Sequence, residues 1–534
     1  MLKAQKTILE KLKEKLSRAF MFDPLHLAVL TVILLVSWLP IIILMLPTSF
    51  AADTVAQILW ARGYPAFDPS SRELLPGYIA SDHHPYLDTL IYGAFDWVGH
   101  GLFQNDAIGY MLYGACQSVL TAFSLMFITC YVVDRLKVPK AIGWVALAFY
   151  ALVPVFAMHS QVIVKDLTSM PFFIFWMTCY LAMLKQACGN KICGQKVSGR
   201  GKVSGRVIAG LIVFGILAAL MRKTLIYVEL LALLIALFIV AGNRIKVLAT
   251  MLACVVVVSV FVPKVVLPAL NVAPGGAQEA LAVPAQQTTK ALIDHYNEMS
   301  KQDIETISKV LNIDVAKKNY SAASADPVKD NAVNRNASTK DKIAFLFVWF
   351  RQGFSFPMSY IHAIAYQRNL YLYTADVGKQ LLGEFPSVRW GWDEYGGNDL
   401  LPNYPAWNGS TNYPQTNGQQ TVWSYLRNFW GDFLPLSIFV RCPTYTFLLP
   451  IIALFLCLWK RNKRAFIALM PLFVSLCVIF MAPAALGRYA YNCFYLAPLF
   501  IALPFSQKLA CQTIKVFDKK PVTLLKSKQK KLKN

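Results

Sequence analysis

The sequence predicts an all-α polytopic membrane protein with about ten transmembrane helices. The chain has 534 residues, of which 56% are hydrophobic and only 15% are charged, and its mean hydropathy is +0.46. A helix that crosses a bilayer needs ~20 mostly apolar residues, because it rises about 1.5 Å per residue and the hydrocarbon is about 30 Å thick. Separate stretches along the chain meet this requirement. The composition therefore excludes an ordinary soluble enzyme of this length.

Ten apolar stretches are predicted to cross the bilayer. They are His26–Leu46, Ala107–Val133, Ala141–Met158, Leu167–Leu184, Val207–Met221, Ile226–Ala241, Val247–Leu270, Tyr445–Trp459, Ala465–Met481 and Cys493–Phe505. Polar segments separate some of them, so the chain divides into parts. These are a basic amphipathic segment at 1–25, a first transmembrane module at 26–270 with a loop at 48–106, a loop domain at 271–434, C-terminal transmembrane helices at 435–506 and a basic tail at 507–534.

The distribution of lysine and arginine predicts the orientation, because cytoplasmic flanks are enriched in these residues. If the N-terminus is cytoplasmic, the inner segments carry 30 of the 52 Lys and Arg residues and five of the 29 acids. The remaining segments are then close to neutral. Both termini are therefore expected in the cytoplasm of a multi-pass plasma-membrane protein. The basic charge indicates contact with anionic membrane lipids and not with nucleic acid.

Polar and ionisable residues collect at the predicted outer ends of the spans. They are Asp53 and Gln57 in "AADTVAQ", Asp82, His83 and His84 in "SDHHPYLDT", Lys165 and Asp166 in "VIVKDLTSM", Arg222 and Lys223 after the fifth span, and Arg488 and Tyr489 in "APAALGRYAYN". An ionisable group near a span end is costly unless it meets water, a partner or a substrate. Separate spans thus bring carboxylates, imidazoles and cations to one face, which indicates a functional site.

Each residue also has a structural interpretation. Asp53 could cap a short helix that starts at Thr54, since Asp is favoured there. Arg222 and Arg488 could be interface anchors whose charged heads reach the headgroups, and Lys165 could hold helices together through an ion pair. The accumulation of the whole set on the predicted outer side favours chemistry. A carboxylate can act as a general base, and fixed cations can stabilise a leaving phosphate.

The order and sidedness of these short motifs resemble the GT-C superfamily of multi-span glycosyltransferases. Asp53 occupies the place of an essential acid in the first outer loop, and "DHHPYLDTLIYG" is similar to the His-Pro element of the protein mannosyltransferase-like branch. Lys165 and Asp166 resemble a second outer acid motif, and "GRYAYNCFYLAPL" is similar to a late Arg-Tyr motif. More closely, "KKNYSAASADPVKD" and "FSFPMSYIHAIAYQRNLYLYT" are similar to the large loop of a bacterial membrane protein family of undefined function in that superfamily.

The resemblance implies a sugar transfer from a polyprenyl-phosphate-linked donor to an acceptor glycan, lipid or protein of the cell envelope, at the extracytoplasmic face. The implied catalytic residues are Asp53, His84 and Asp166. The implied donor-binding residues are Gln57, Asp82, His83, Lys165, Arg222, Arg488 and Tyr489. No cofactor is implied. An interfacial helix is expected from Tyr86 to about Phe103, with Pro85 at its start.

The sequence departs from the resemblance at two points. Asp53 is followed by Thr54 where many relatives have an Asp-Glu pair, which leaves Asp82 or Asp88 as alternative bases. The motif is His-His-Pro, whose side chains are metal-ligand types, but adjacent residues seldom bind one ion together, so no metal is expected. Two other functions stay open: a transporter or flippase of lipid-linked sugars, and a glycan polymerase or ligase that uses a diphosphate lipid donor.

The charge distribution makes a topology prediction. A cysteine introduced at residue 200 should react with a membrane-impermeant thiol reagent only after the inner face is exposed. One introduced within the predicted outer segment 271–434 should react from outside. Cysteine-accessibility labelling of intact cells measures both. Labelling of residue 200 from outside would contradict the orientation and the predicted side of the site.

Overall fold

A computed structural model describes residues 18–50, 52–69, 73–188, 201–372 and 417–509 of the chain. The fold is mostly helical, with four two-residue strands. Most of the predicted N-terminal amphipathic segment, most of the basic C-terminal tail and residues 373–416 of the predicted loop domain lie outside the described residues.

The first part of the described chain holds twelve α-helices and four strands. The helices are α1 (Pro24–Leu44), α2 (Ala52–Ala61), α3 (Tyr86–Asp96), α4 (Asp106–Cys130), α5 (Lys140–Leu152), α6 (Pro154–His159), α7 (Lys165–Thr168), α8 (Met170–Ala187), α9 (Gly205–Met221), α10 (Leu225–Ala236), α11 (Arg244–Val255) and α12 (Leu267–Ala269). The strands are β1 (Ser49–Phe50), β2 (Ala80–Ser81), β3 (Val162–Ile163) and β4 (Val272–Ala273). Wider π-helical turns extend three helices, at Trp97–Leu102, Tyr131–Arg135 and Val256–Val266.

The later part adds two further groups of helices. The first group is α13 (Ala282–His295), α14 (Lys301–Ser308), α15 (Ile313–Asn319), α16 (Asp326–Ala332), α17 (Thr339–Ser355) and α18 (Pro357–Leu372). The second is α19 (Asn417–Asp432), α20 (Leu434–Ser437), α21 (Leu449–Trp459), α22 (Lys463–Ala468), α23 (Met470–Phe480), α24 (Tyr491–Tyr495) and α25 (Ala497–Ala502). Short 3₁₀ turns at Ala241–Asn243, Ala277–Leu281, Tyr296–Glu298, Ile438–Val440, Gly487–Ala490 and Leu503–Phe505, and a π turn at Thr444–Leu448, complete the described elements.

Four continuous helical stretches of the described chain are long and apolar enough to cross a membrane. They are Pro24–Leu44, Asp106–Arg135, Lys165–Ala187 and Ala241–Ala269. A fifth crossing is possible if Leu434–Val440 and Thr444–Trp459, which meet at 69°, form one span. These stretches coincide with the first, second, fourth, seventh and eighth predicted spans. The prediction of a mostly helical fold is therefore confirmed, and four or five of the ten predicted spans coincide with helices long and apolar enough to cross a membrane.

Three predicted spans are not the continuous helices that the sequence pattern indicated. The third breaks at Val153, the ninth at Leu469 and the tenth at Leu496. A proline lies one or two residues after each break, at Pro154, Pro471 and Pro498. Proline has no N–H to donate and its ring clashes with the carbonyl four residues back, so each of these helices ends and a new one starts. Hydropathy alone does not register this effect.

Helix α8 lies at the centre of the bundle. Trp176 and Tyr180, one turn apart on α8, are fully buried and stack with ring centroids 5.5 Å apart. Helix α1 and the stretch Ala241–Ala269 are mostly exposed and present apolar side chains outward. Because a bilayer solvates such side chains well, the exposed positions are those expected of peripheral spans.

Two parallel strand pairs set the positions of the loops at one end of the bundle. In the first, Ser49 pairs with Val162, and Phe50 pairs with Ile163. Because the strands are parallel, the residues that follow each strand leave the same edge. Asp53 follows β1 and Lys165 follows β3, so this pairing brings the two side chains together. In the second pair, β2 and β4 are joined through Ala80 with Val272 and Ser81 with Ala273.

Residues 271–372, here called the loop unit, have a hydrophobic core of their own. Its members come from α13 to α18 and the turns between them, and include Leu292, Ile307, Leu311, Val328 and Phe345. Contacts that fix the loop unit on the rest of the chain include the β2–β4 pair and two others. The guanidinium of Arg335 lies 2.9 Å from a carboxylate oxygen of Asp68, and the Ala325 N–H donates to the carbonyl of Pro483.

Helix α3 and its π-helical extension lie where the interfacial helix was predicted, and they run closely against the start of α4. A Cβ atom placed on Gly109 would lie 2.2 Å from the carbonyl oxygen of Phe95, and one on Gly99 would lie 2.6 Å from the amide of Gly109. These distances permit no side chain. Nearby, Asp96 accepts two hydrogen bonds from Arg62, of 2.7 and 2.6 Å, which fix the end of α3 on α2.

This close approach predicts a strong effect of one methyl group. We expect Gly109→Ala to lower the free energy of unfolding by roughly 1–3 kcal/mol or more, because overpacking against backbone forces the helices apart. Gly205→Ala is the control, since the space around Gly205 is open. Thermal denaturation in detergent measures both. Equal midpoints for the two variants would contradict the packing described.

Candidate functional site

Six ionisable side chains meet at the end of the bundle that the strand pairs organise. This charged cluster consists of Asp53, His84, Lys165, Asp166, Arg222 and Arg488. Its members come from α2, the turn after β2, the start of α7, the end of α9 and the 3₁₀ turn at Gly487–Ala490. Segments more than 400 residues apart in the chain therefore contribute to one site.

Asp53 is the centre of the first half of the cluster. Its Oδ2 atom lies 2.9 Å from Lys165 Nζ, 3.5 Å from Arg488 Nη1 and 3.8 Å from His84 Nδ1. Lys165 Nζ also lies 3.1 Å from His84 Nδ1. Because an ammonium can only donate, Nδ1 is the accepting nitrogen and the ring proton of a neutral His84 belongs on Nε2. His84 thus positions Lys165 against Asp53.

Asp166 is the centre of the second half. Its Oδ1 atom lies 3.0 Å from Arg222 Nε, and its Oδ2 atom lies 3.8 Å from Arg488 Nε. Arg222 also donates to the side-chain oxygen of Asn492 over 3.4 Å. Arg488 therefore contacts both carboxylates and joins the two halves of the cluster.

The two halves differ in their access to solvent. The side chains of Asp53, Lys165 and Arg488 are 17%, 22% and 16% exposed. Those of Asp166 and Arg222 are 2% and 10% exposed. A bound molecule would consequently meet Asp53, Lys165 and Arg488 first. The Asp166–Arg222 pair lies behind them and supports Arg488.

The surroundings fix the protonation states of Asp53 and His84. Burial works to raise the pKa of Asp53, but the charges of Lys165 and Arg488 outweigh it and hold that pKa well below its ordinary value. Burial first, and then the charge of Lys165, hold the pKa of His84 well below 6.5. At neutral pH Asp53 is therefore ionised and His84 is neutral.

These two pKa shifts also affect stability. A depressed carboxylate pKa stabilises the fold above the pKa of the unfolded chain, and this contribution is lost as the pH falls through the folded value. A depressed histidine pKa costs stability once the pH falls below about 6.5, where the unfolded chain takes up a proton that the fold excludes.

The other predicted site residues surround the cluster in different ways. The amide of Gln57 is buried and donates to the Pro85 carbonyl and the Thr89 hydroxyl, so it joins α2 to α3. Asp82 pairs with Lys223 over 2.7 Å and accepts from the Tyr86 N–H. Gln57 and Asp82 thus make contacts within the protein, and their predicted donor binding stays a prediction.

His83 and Tyr489 stay beside the cluster. The ring of His83 packs edge-on against that of His84, with centroids 4.8 Å apart. Its own pKa is lowered by burial, although the nearby Glu279 carboxylate of the loop unit opposes this. Tyr489 is half-buried next to Arg488, whose guanidinium lies 5.9 Å from the Tyr489 ring centre.

Asp88 does not have the environment of a resting general base. The side chain is fully buried, and neither carboxylate oxygen has a hydrogen-bond partner among the described residues. Burial raises its pKa well above the ordinary value. Burial thus favours the protonated acid over the carboxylate, which argues against one alternative base that the sequence left open. No pattern in the sequence distinguishes this acid from its neighbours.

Two supporting residues were not singled out from the sequence. The indole of Trp60 stacks over the imidazole of His84 with centroids 6.4 Å apart, and Asn492 holds Arg222. Trp60 follows Asp53 by seven residues on α2, which is about two helical turns. Helical spacing could therefore have indicated that the two side chains lie on the same face. Asn492 follows Arg488 by four residues, which would also place it on the same side of a helix.

The charge balance limits what the cluster can bind. The formal charges of three cations and two carboxylates, with a neutral imidazole, sum to one net positive charge in a partly buried site. Such a site favours an anion that carries about one negative charge. Within the described ranges, no three His, Cys, Asp or Glu side chains are grouped closely enough to hold a metal ion.

Comparison with known families adds one finding. Residues 74–516 match the model of a family of unknown function, DUF6020. The chain belongs to this family. The match includes every member of the charged cluster except Asp53, since it starts after α2. Neither the curated proteins nor the solved structures gave a match to this DUF6020 chain.

The buried half of the cluster makes a stability prediction for this DUF6020 chain. Arg222→Met leaves Asp166 with only the longer contact to Arg488, and removal of one partner from a buried pair costs about 3–5 kcal/mol. Lys223→Met is the matched control on the next residue, because that side chain is 46% exposed and surface pairs contribute at most about 1 kcal/mol. Denaturation in detergent should show the difference. A larger loss for Lys223→Met would contradict the assignment.

Proposed function

We propose that the chain is a membrane glycosyltransferase that moves a sugar from a polyprenyl-phosphate-linked donor to an acceptor at the extracytoplasmic face. The observation that carries this proposal is the partly exposed set of Asp53, Lys165 and Arg488 at the end of an apolar bundle. It combines a carboxylate with two cations in one site. A lipid chain can lie beside the bundle while its phosphate reaches those cations.

The proposal includes a ten-span arrangement with both termini in the cytoplasm. Four long helices and the bent pair supply five crossings. Four shorter apolar helices, Lys140–Leu152, Gly205–Met221, Leu225–Ala236 and Met470–Phe480, supply four more, with short neighbouring helices completing some of them. The broken segment 491–505 supplies the tenth. This arrangement puts all members of the charged cluster on the same, outer side.

Lys165 and Arg488 would bind the donor phosphate. Both are in contact with Asp53, so an arriving phosphate would compete with that carboxylate for them. Arginine offers a forked contact and lysine a compact charge, and both suit phosphate oxygens. Asp166 and Arg222 would hold Arg488 in position from behind. His84 would keep Lys165 oriented through its accepting Nδ1.

The same competition would activate Asp53. As the phosphate draws Lys165 and Arg488 away, the pKa of the carboxylate rises and Asp53 becomes a better base. The acceptor hydroxyl then gives its proton to Asp53 while its oxygen bonds to the anomeric carbon of the sugar. The bond from that carbon to the phosphate oxygen breaks, and the polyprenyl phosphate leaves with one additional negative charge. The cations stabilise that charge as it develops.

The charge balance favours a monophosphate donor over a diphosphate donor. The phosphodiester of a polyprenyl-phosphate sugar carries one negative charge, which is equal in magnitude and opposite in sign to the net charge of the cluster. A diphosphate carries two, so one would stay without a partner in this site. This argument makes a glycan polymerase or ligase with diphosphate donors the weaker alternative.

One observation favours a second function, transport of a lipid-linked sugar. Glu229 in α10 is buried, and neither of its carboxylate oxygens has a hydrogen-bond partner in the described part of the chain. Acids inside membrane helices commonly mark proton or substrate paths in transporters. In reconstituted vesicles, Glu229→Gln should abolish movement of the lipid between leaflets if the chain is a transporter. A transferase should keep its sugar transfer in the same variant.

The general-base role predicts the effect of an isosteric change. Asp53→Asn removes the proton acceptor and should lower kcat for sugar transfer by roughly 10² to 10⁴. Donor binding should not weaken, because the carboxylate that competes with the phosphate for Lys165 and Arg488 has lost its charge. Asp106→Asn is the control, because Asp106 is also an ion-paired acid, in contact with Arg62, and lies outside the cluster. Transfer from a radiolabelled polyprenyl-phosphate sugar measures both. Near-normal turnover by Asp53→Asn would make Asp53 a structural residue.

The competition for Asp53 predicts a split in the pH profiles. For the donor, kcat/KM reports the free enzyme, in which the pKa of Asp53 is well below its ordinary value. The parameter kcat reports the complex, in which the phosphate has taken the cations. The acid limb of kcat should therefore lie at higher pH than that of kcat/KM. Coincident limbs would contradict activation by the donor.

A further inference from the structure

Helix α17 of the loop unit exposes a row of large apolar side chains. Phe347, Phe350 and Phe354 are 73%, 61% and 75% exposed, and Ile343 precedes them on the same helical face. The spacing of four, three and four residues places them on one side. Met358 and Ile361 continue the row onto α18. This row, from Ile343 to Ile361, is called the aromatic face below.

The opposite side of α17 has a different role. Phe345, Val348 and Gln352 are buried, and the first two belong to the core of the loop unit. The aromatic face therefore contributes nothing to that core. Exposed to water it would be a large apolar patch, and such patches mark contact with a membrane or another protein.

The position of α18 indicates which partner covers the face. Near its end, the Arg368 guanidinium donates to the carbonyls of Phe480 and Ala482, at 2.9 and 2.7 Å. Tyr371 exchanges hydrogen bonds with Leu486, two residues before Arg488. Ile361, at the near end of the aromatic face, is ten residues before Tyr371 on α18. At 1.5 Å per residue, the face therefore lies about 15 Å along the helix from the bundle end that holds the charged cluster.

The helix also has the charge pattern of an interfacial helix. Lys340 at the start of α17 is exposed, and Lys342 and Arg351 lie on the same helix. Helices that lie in the headgroup region typically have large apolar residues, such as phenylalanine and leucine, on one face and basic residues around that face. Lysine side chains can extend from such a helix toward lipid phosphates.

We infer that the aromatic face is inserted in the lipid leaflet that borders the charged cluster. The lipids that cover the aromatic face are phospholipids, at the level where headgroups meet acyl chains. The loop unit is then held flat on the membrane by α17 and α18, and the charged cluster lies at the level of lipid headgroups. This inference concerns the placement of the loop unit and does not depend on the proposed sugar transfer.

Site-specific fluorescence in vesicles tests the inference on the full chain. An environment-sensitive fluorescent amino acid is introduced by amber suppression at Phe347, and in a second protein at Phe354. The control position is Glu305 on α14, which is 72% exposed and outside the aromatic face. All three positions are exposed, so the substitutions leave the core of the loop unit intact. Quenching is measured with iodide on both sides of the membrane and with nitroxide-labelled phospholipid.

The expected result is protection from iodide and strong quenching by the labelled lipid at positions 347 and 354, with the reverse at position 305. A several-fold ratio between the two quenching constants should separate the positions. Quenching of 347 and 354 by iodide would show a face in water and overturn the inference. Protection from both quenchers would also overturn it, because protein, either a second copy or residues 373–416, would then cover the face.

Discussion

The ion pair between Asp53 and Lys165 is the interaction on which the arrangement of this end of the molecule depends. The two residues belong to different parts of the chain, and a two-residue parallel strand pair delivers them to one edge. The pair is stabilised by proximity of opposite charges in a partly buried place, where water screens them poorly. His84 and Arg488 then gather around the same carboxylate oxygen. Without Lys165, the pKa of Asp53 would rise, because the strongest charge that opposes the effect of burial would be lost.

The class of the fold could be predicted from the sequence because a membrane-spanning helix is one continuous apolar stretch, whose hydropathy can be read along the chain without knowledge of tertiary contacts. Pro24–Leu44 and Asp106–Arg135 lie where the first two predicted spans were placed. The breaks before Pro154, Pro471 and Pro498 were missed, since a hydropathy window does not weigh the lost backbone donor. The two-residue strands carry no periodic pattern, so the pairing of Phe50 with Ile163 could not be predicted.

For the candidate site, the sequence predicted which residues share one end of the spans, but not how close their side chains come to one another. Lysine and arginine statistics placed Lys165, Arg222 and Arg488 at one face, and the structure brings the three around two carboxylates. Which cation would be exposed depends on tertiary packing, so the burial of Arg222 was beyond sequence reasoning. The hydrogen bond of Gln57 to Pro85 and the burial of Asp88 could not be predicted for the same reason. Both depend on which segment packs against the helix, and the sequence of the helix alone does not give this.

Arg488 has a consequence that follows from its two contacts. Its guanidinium lies 3.5 Å from an oxygen of Asp53 and 3.8 Å from one of Asp166. The chain just before it touches Tyr371 and the Ala325 amide of the loop unit. A ligand that changes the position of Arg488 would therefore also change the contacts that hold the loop unit on the bundle. Thermodynamic linkage is reciprocal, so a force or a bound molecule that shifts the loop unit must alter anion affinity by the same factor. If the proposed function and the inferred membrane placement hold, membrane thickness and lipid composition act on α17 and α18 and would thereby also act on donor binding.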